Sequence, residues 1–181
     1  HADISVRKRH ENVQKILYEI ANSVNNTDSL VELFDFIQNS LSAIIDTKNC
    51  YVALYDARTD TLSLPFLKDE MDNFTEFPAG KTLTAYVIKT GKAQLINSKE
   101  VEALERSGEV ESIGTPSESW LGVPLKLENR IIGVFVVQSY EKGLEYTKDD
   151  VQLLEFVSDQ IALAIQRKAD QDNLRMNEER Q

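Results

Sequence analysis

The sequence predicts an α+β domain built on an antiparallel sheet that is covered on both faces. Three observations carry this expectation. Ser119 to Lys126 and Arg130 to Ser139 are β-rich runs joined by the short polar Leu127-Glu128-Asn129, the pattern of an antiparallel hairpin. Ile131 to Val137 is apolar throughout and does not alternate, as expected of a strand buried on both sides. Apolar residues at helical spacing mark both ends of the chain, around Val13 to Val24 and Val151 to Ile165.

Taken in order, Val13, Ile16, Leu17, Ile20, Ala21 and Val24 line one face of a helix ending near Asn25-Asn26, and the polar SVRKRHEN before it continues that helix. Asp28 or Ser29 caps a second helix, with Glu32 placed to complete a box with Ser29. Its buried face is Leu30, Leu33, Phe34, Ile37, Leu41 and Ile44. Cys50 to Asp56 alternates as a strand, ARTDT turns the chain, and Leu62 to Leu67 is the next strand, with Pro65 marking an edge or a bulge. Asp69 to Gly80 has no periodicity and reads as a loop. Thr82 to Thr90 is a short helix stopped by Gly91, Ala93 to Ile96 a brief strand, and Asn97 with Glu100 caps a helix running to about Ser107. After the hairpin, Thr147 and Asp150 match a capping box that opens the longest helix.

That last helix is apolar on more than one side. Leu154, Val157 and Ile161 form one stripe, Phe156 and Leu163 another. Covering a sheet needs one stripe, so the extra width predicts a second contact surface, most simply a partner helix across a homodimer, with Ile161 or Ala164 as contacts wherever they are exposed. From Gln166 onward Lys168, Gln171 and Arg175 replace the apolar positions, and the helix leaves the core as a polar extension.

Bulk properties exclude several function classes. The 181 residues, 41% hydrophobic and 28% charged, suit one domain with extra segments at its ends. A net charge of −10 repels phosphate backbones and anionic lipid, so no nucleic acid partner is expected. The longest apolar run is broken by Gly133, and HADISVRKRHENV has no apolar signal core. We therefore expect a cytoplasmic protein with no membrane segment here, cut from a longer chain. Cys50 stands alone, which rules out a disulfide framework or a thiolate zinc site, and reads as a small buried hydrophobe. The histidines, His1 and His10, both lie in the N-terminal segment. GxSxG, GxxxxGK[ST] and HExxH are all missing, so neither an enzyme, a metal site nor a cofactor is expected.

Five strings in the right order resemble the GAF domain family: NCYVALYD (Asn49 to Asp56), GKTLTAYVIKTGKAQLI (Gly80 to Ile96), GTPSESWLGVPL (Gly114 to Leu125), IIGVFVVQSY (Ile131 to Tyr140) and YTKDDVQLLEFVSDQIALAIQRK (Tyr146 to Lys168). Together they look like the modules found in bacterial sensor histidine kinases of two-component systems and in diguanylate cyclases. The resemblance implies a sheet of about six strands. The N- and C-terminal helices would lie on one face, and short helices and loops would roof a small-molecule pocket on the other. It also implies residues 13–166 as the GAF domain, 1–12 as an N-terminal linker helix and 167–181 as a C-terminal signalling-helix extension. The implied function is regulatory sensing of an unidentified small molecule, passed to a fused kinase or cyclase output domain. The alternatives are a ligand-free GAF acting as a dimerisation spacer and a thiol-based GAF enzyme. Departures from the family narrow the ligand. Neither a pocket Cys with His for a bilin nor a haem-ligating His is evident, and Asn97-Ser98-Lys99 breaks the Asn-Lys pair of the cyclic-nucleotide binders.

The expected ligand-binding residues are Tyr51, Tyr55, Phe66 and Tyr86, on elements the family uses to line its cavity, together with Thr115, Ser117, Trp120 and Gln138. Gly114 to Ser117 could offer backbone N–H groups and hydroxyls to an anion. Trp120 is either core or pocket wall, and Gln138, closing an apolar run, must find a partner if buried. Asp69, Glu70 and Asp72 lack an EF-hand spacing and read as solvated surface.

Overall fold

The computed structural model describes residues 2–180. The chain folds as a six-stranded, wholly antiparallel sheet: β1 (Asn49–Asp56), β2 (Thr61–Lys68), β3 (Glu76–Pro78), β4 (Gln94–Asn97), β5 (Ser119–Leu127) and β6 (Arg130–Ser139), in spatial order β3-β2-β1-β6-β5-β4. The hairpin joins β5 to β6 from Ser119↔Ser139 to Leu127↔Arg130, so the connection shortens to Glu128-Asn129, with Glu128 at φ 57°.

β6 is buried on both sides, as its unbroken apolar run requires. Phe135 and Val137 join the core under the long helices, while Val134 and Val136 face the opposite core. Gly133 lets β6 lie close against β1: a Cβ there would overlap the Ala53 carbonyl oxygen. Pro65 sits at a bulge. Val52 pairs with Phe66 and Leu54 with Ser63, so β2 carries one more residue than β1 across this interval. The segment from Asp69 to Gly80 is not all loop, because β3 pairs Pro78, Phe77 and Glu76 with Thr61, Leu62 and Ser63. Three residues ending in a proline are too short to show a period.

One face carries α1 (Ala2–Asn26), α2 (Leu30–Leu41) and α5 (Lys148–Arg180); the other carries α3 (Leu83–Thr90) and α4 (Ser98–Ser107). Capping follows the sequence signals. Thr147 and Asp150 exchange hydrogen bonds at 2.8 and 3.3 Å, and Asn97 and Glu100 do so at 3.3 and 2.9 Å. At α2 the Ser29 hydroxyl accepts the Glu32 N–H at 3.4 Å, half of the expected box.

α1 and α5 run parallel. At one end Arg9 donates to the Ile44 carbonyl just past α2, near where the Tyr146 hydroxyl, close to the start of α5, donates to the Asp46 carbonyl. At the other end Arg167 donates to the Val24 carbonyl and to Asn25 Oδ1 as α1 finishes. The exposed start of α1 (residues 5–12) and the exposed end of α5 (169–180) therefore project from opposite ends of the sheet. Ile161 (0% exposed) and Ala164 (4%) belong to the core beneath α1, which removes both as dimer contacts. On the part of α5 that packs against the sheet, the large apolar residues left open are Phe156 (38%) and Leu163 (52%), seven apart and so on one side of the helix, while Leu174 and Met176 are exposed on its projecting end.

Candidate ligand cavity

Between the sheet and the short helices lies a cavity of about 80 Å³. Its floor is β1 and β2 (Tyr51, Leu64, Leu67) with Trp120 of β5 and Gln138 of β6, and its side is the first turn of α3 with Thr82, Leu83 and Thr84. The irregular segment 111–117 covers it, anchored by the Glu111 N–H donating to the Lys81 carbonyl at 2.8 Å.

Trp120 is 2% exposed, and its ring lies across Gly122: a Cβ on Gly122 would be 2.5 Å from Cη2 and 2.7 Å from Cζ3. The missing side chain gives the indole its seat. Tyr51 shares a hydrogen bond of 2.8 Å with the Thr84 hydroxyl, and burial pushes its phenol up to about 12, against hydrogen bonds with Thr84 and Trp120 that lower it.

The polar wall is a continuous network. Ser117 donates to Gln138 Oε1 at 2.5 Å, and Gln138 Nε2 donates to Asp69 at 2.8 Å. Asp69 also accepts the Tyr140 hydroxyl at 2.7 Å and the backbone N–H groups of Met71 and Asp72. Asp72 accepts both the N–H (2.8 Å) and the hydroxyl (2.9 Å) of Thr115, which ties the covering segment down. Gly114 precedes that latch at φ +76°, and a Cβ there would lie 2.6 Å from Asp72 Oδ2. Burial, then the hydrogen bond and charge of Asp69, push the Tyr140 phenol well above its ordinary value.

Five of the eight expected residues meet here: Tyr51, Thr115, Ser117, Trp120 and Gln138. The other three lie elsewhere. Tyr55 shares a face with Tyr51 but sits further along β1, donating to Asp60 at 2.8 Å. Phe66 is on the opposite face, 5.8 Å from the Phe34 ring, because the bulge at Pro65 reverses the alternation and turns Leu67 to the cavity instead. Tyr86 is two residues past Thr84, about half a turn, which puts it on the side of α3 away from the cavity.

Asp69 and Asp72 correct the reading of that cluster as solvated surface. Both are half-buried and line the cavity, whereas Glu70 is exposed and accepts from Asn49 at 3.0 Å. Their partners Tyr140 and Thr115 are distant in sequence, so no local spacing reveals the wall. The Thr115 donors proposed for an anion do bind one, the carboxylate of Asp72. Among the described residues, no group of three or more His, Cys, Asp or Glu could hold a metal ion.

Compared with known proteins, residues 27–166 match the GAF domain family. The chain belongs to the GAF domain family. GAF domains commonly sit in multidomain signalling proteins beside output domains. A curated relative, the nitrogen fixation protein AnfA of Azotobacter vinelandii, is 23% identical over 155 residues, which is 81% of this chain and 28% of that protein. This chain thus spans about a quarter of that relative's length. The GAF domain of an Acinetobacter phosphoenolpyruvate-protein phosphotransferase superposes with a TM-score of 0.71 at 19% identity, covering 89% of this chain and 97% of that one. The free methionine-R-sulfoxide reductase of Neisseria meningitidis, solved with its substrate, also gives 0.71, at 17% identity, over 87% and 90%. At such identities these structures share the fold. Among the described residues no helix is long and apolar enough to cross a membrane.

Proposed function

We propose that this GAF domain is a regulatory, non-enzymatic sensing module of a cytoplasmic bacterial signal-transduction protein, with residues 13–166 as its folded unit. A small molecule enters the cavity beside Trp120, and the terminal helices pass the change to a fused output domain of kinase or cyclase type. The observation that carries this is the placement of the cavity and the helices on opposite faces of one sheet. Trp120 and Gln138 line the cavity, while their neighbours Leu121 and Val137 pack under α1, α2 and α5. A shift of β5 or β6 on one side is felt on the other, and population shift between two seatings of α1 and α5 is the mechanism.

Thermal unfolding with cyclic nucleotides, amino acids and small carboxylates tests the sensing reading. A ligand at a hundred times its Kd stabilises the fold by about 2.7 kcal/mol. If no compound raises the midpoint, the spacer reading replaces it. That second reading draws on the exposed Phe156 and Leu163, which suit a homodimer through the terminal helices. The thiol-enzyme reading fits less well. Cys50 belongs to the helix-side core, across the sheet from the cavity, and burial pushes its thiol up to about 12, where the reactive thiolate is scarce.

A further inference from the structure

The charge on the cavity wall is one-sided. Asp69, Asp72 and Glu111 are among the residues lining the space, and among the described residues no Lys, Arg or His lines it. Lys68, adjacent to Asp69, turns to the helix face, where it meets Asp35 at 2.8 Å and Gln38 at 3.0 Å. The other ion pairs among the described residues, Arg58 with Asp56 and Lys168 with Asp172, involve none of the three. Asp69 and Asp72 both come within reach of a single Tyr140 hydroxyl, at 2.7 and 3.5 Å.

Three of the wall residues that could donate to an anionic ligand already have their side-chain donors engaged. Thr115 gives its N–H and hydroxyl to Asp72, Gln138 gives its amide to Asp69, and Ser117 gives its hydroxyl to Gln138. An anion would have to break these bonds and then face three carboxylates. The rest of the wall points the same way, independently of charge. Tyr51, Phe74, Phe77 and Trp120 surround the space, and aromatic side chains attract cations through the ring quadrupole, alkylated ammonium heads in particular. At about 80 Å³ the cavity is far below the roughly 300 Å³ at which drug-sized ligands are held, so it suits a head group rather than a nucleotide.

Taking the cavity as the sensing site, we propose that its ligand is a small organic cation of the alkylammonium class, held between the Asp69, Asp72 and Glu111 carboxylates and the aromatic wall. The single tryptophan makes this measurable, because the indole N–H resonance of Trp120 reports the cavity alone. Four probes are titrated at constant ionic strength: tetramethylammonium, choline, the neutral analogue of choline with a tert-butyl group in place of the trimethylammonium head, and pivalate. We expect a saturable shift with tetramethylammonium or choline at concentrations about tenfold or more below those needed for the neutral or anionic probe. Glu111→Gln, on the exposed covering segment, weakens the cation roughly three- to tenfold and leaves the neutral probe unchanged. Asp69→Asn does the same from the sheet side, and Glu111→Gln keeps the test readable if that variant fails to fold. Equal or tighter binding of the neutral probe or pivalate overturns the cation assignment and leaves a sensing cavity in place, as does a cation affinity unmoved by Glu111→Gln. No shift with any of the four probes overturns both.

Discussion

Gly122→Ala isolates the seat of Trp120. The added methyl would stand 2.5 Å from Cη2 and 2.7 Å from Cζ3, with Val87 Cγ2 at 3.2 Å behind it. Ordinary contact begins near 3.4 Å, so the indole must move by about 1 Å, into the cavity or away from the sheet. Gly122 does not occupy the left-handed region, so alanine adds no backbone strain and the effect is steric. Overpacking of this kind costs about 1–3 kcal/mol. For a domain of this size that lowers the melting midpoint by roughly 2–12 °C. Calorimetry reads the cost, and the emission maximum of the single tryptophan reads the displacement. Ligand binding is expected to weaken more than stability does, because the moved ring narrows a cavity of about 80 Å³. An alanine variant with unchanged midpoint and unchanged emission would refute the packing of Trp120 on Gly122, and with it the shape of the site.

Cys50 and Tyr51 are raised from ordinary values of 9.0 and 10.0 to about 12, so the fold favours their protonated forms. That contribution is complete below about pH 9 and is lost toward pH 12, at up to about 1.4 kcal/mol per pH unit per group. Denaturant titrations should show this loss, reduced in Cys50→Ala, and alkylation of native Cys50 at pH 8 should be far slower than in the unfolded chain. Thr115→Val removes one of the two hydrogen bonds latching the covering segment to Asp72, at a cost of about 1–2 kcal/mol, and should speed amide exchange in residues 111–117. Exchange no faster than wild type would show that the hydroxyl does not hold the segment. Phe156→Glu with Leu163→Glu should give monomers in sedimentation where the parent chain dimerises. A parent already monomeric at high concentration ends the dimer reading.

Much of the fold was legible because its signals are local. Reciprocal caps at Asn97/Glu100 and Thr147/Asp150, the unbroken apolar run of β6 and the helical spacing of α1 and α2 each depend on residues a few positions apart. What escaped depends on long-range geometry. Pro65 marks an edge or a bulge in the sequence, but the reversal of facing after Leu64, which removes Phe66 from the cavity and admits Leu67, needs the register of β1. Asp69 and Asp72 resemble surface residues until Tyr140, Gln138 and Thr115 are brought to them by β6 and the covering segment. Ile161 and Phe156 both read as apolar, and only the position of α1 decides which is buried.

Coupling across the sheet is tested most directly by hydrogen exchange of the full chain with and without a compound that shifts the Trp120 indole signal. We expect slower exchange in residues 111–117 and, on the far face, altered exchange in α5 from Val151 to Ile165 and in α1 from Val13 to Val24. Protection confined to the covering segment and the cavity strands, with both helices unchanged, would contradict a sensing role and leave only a binding pocket.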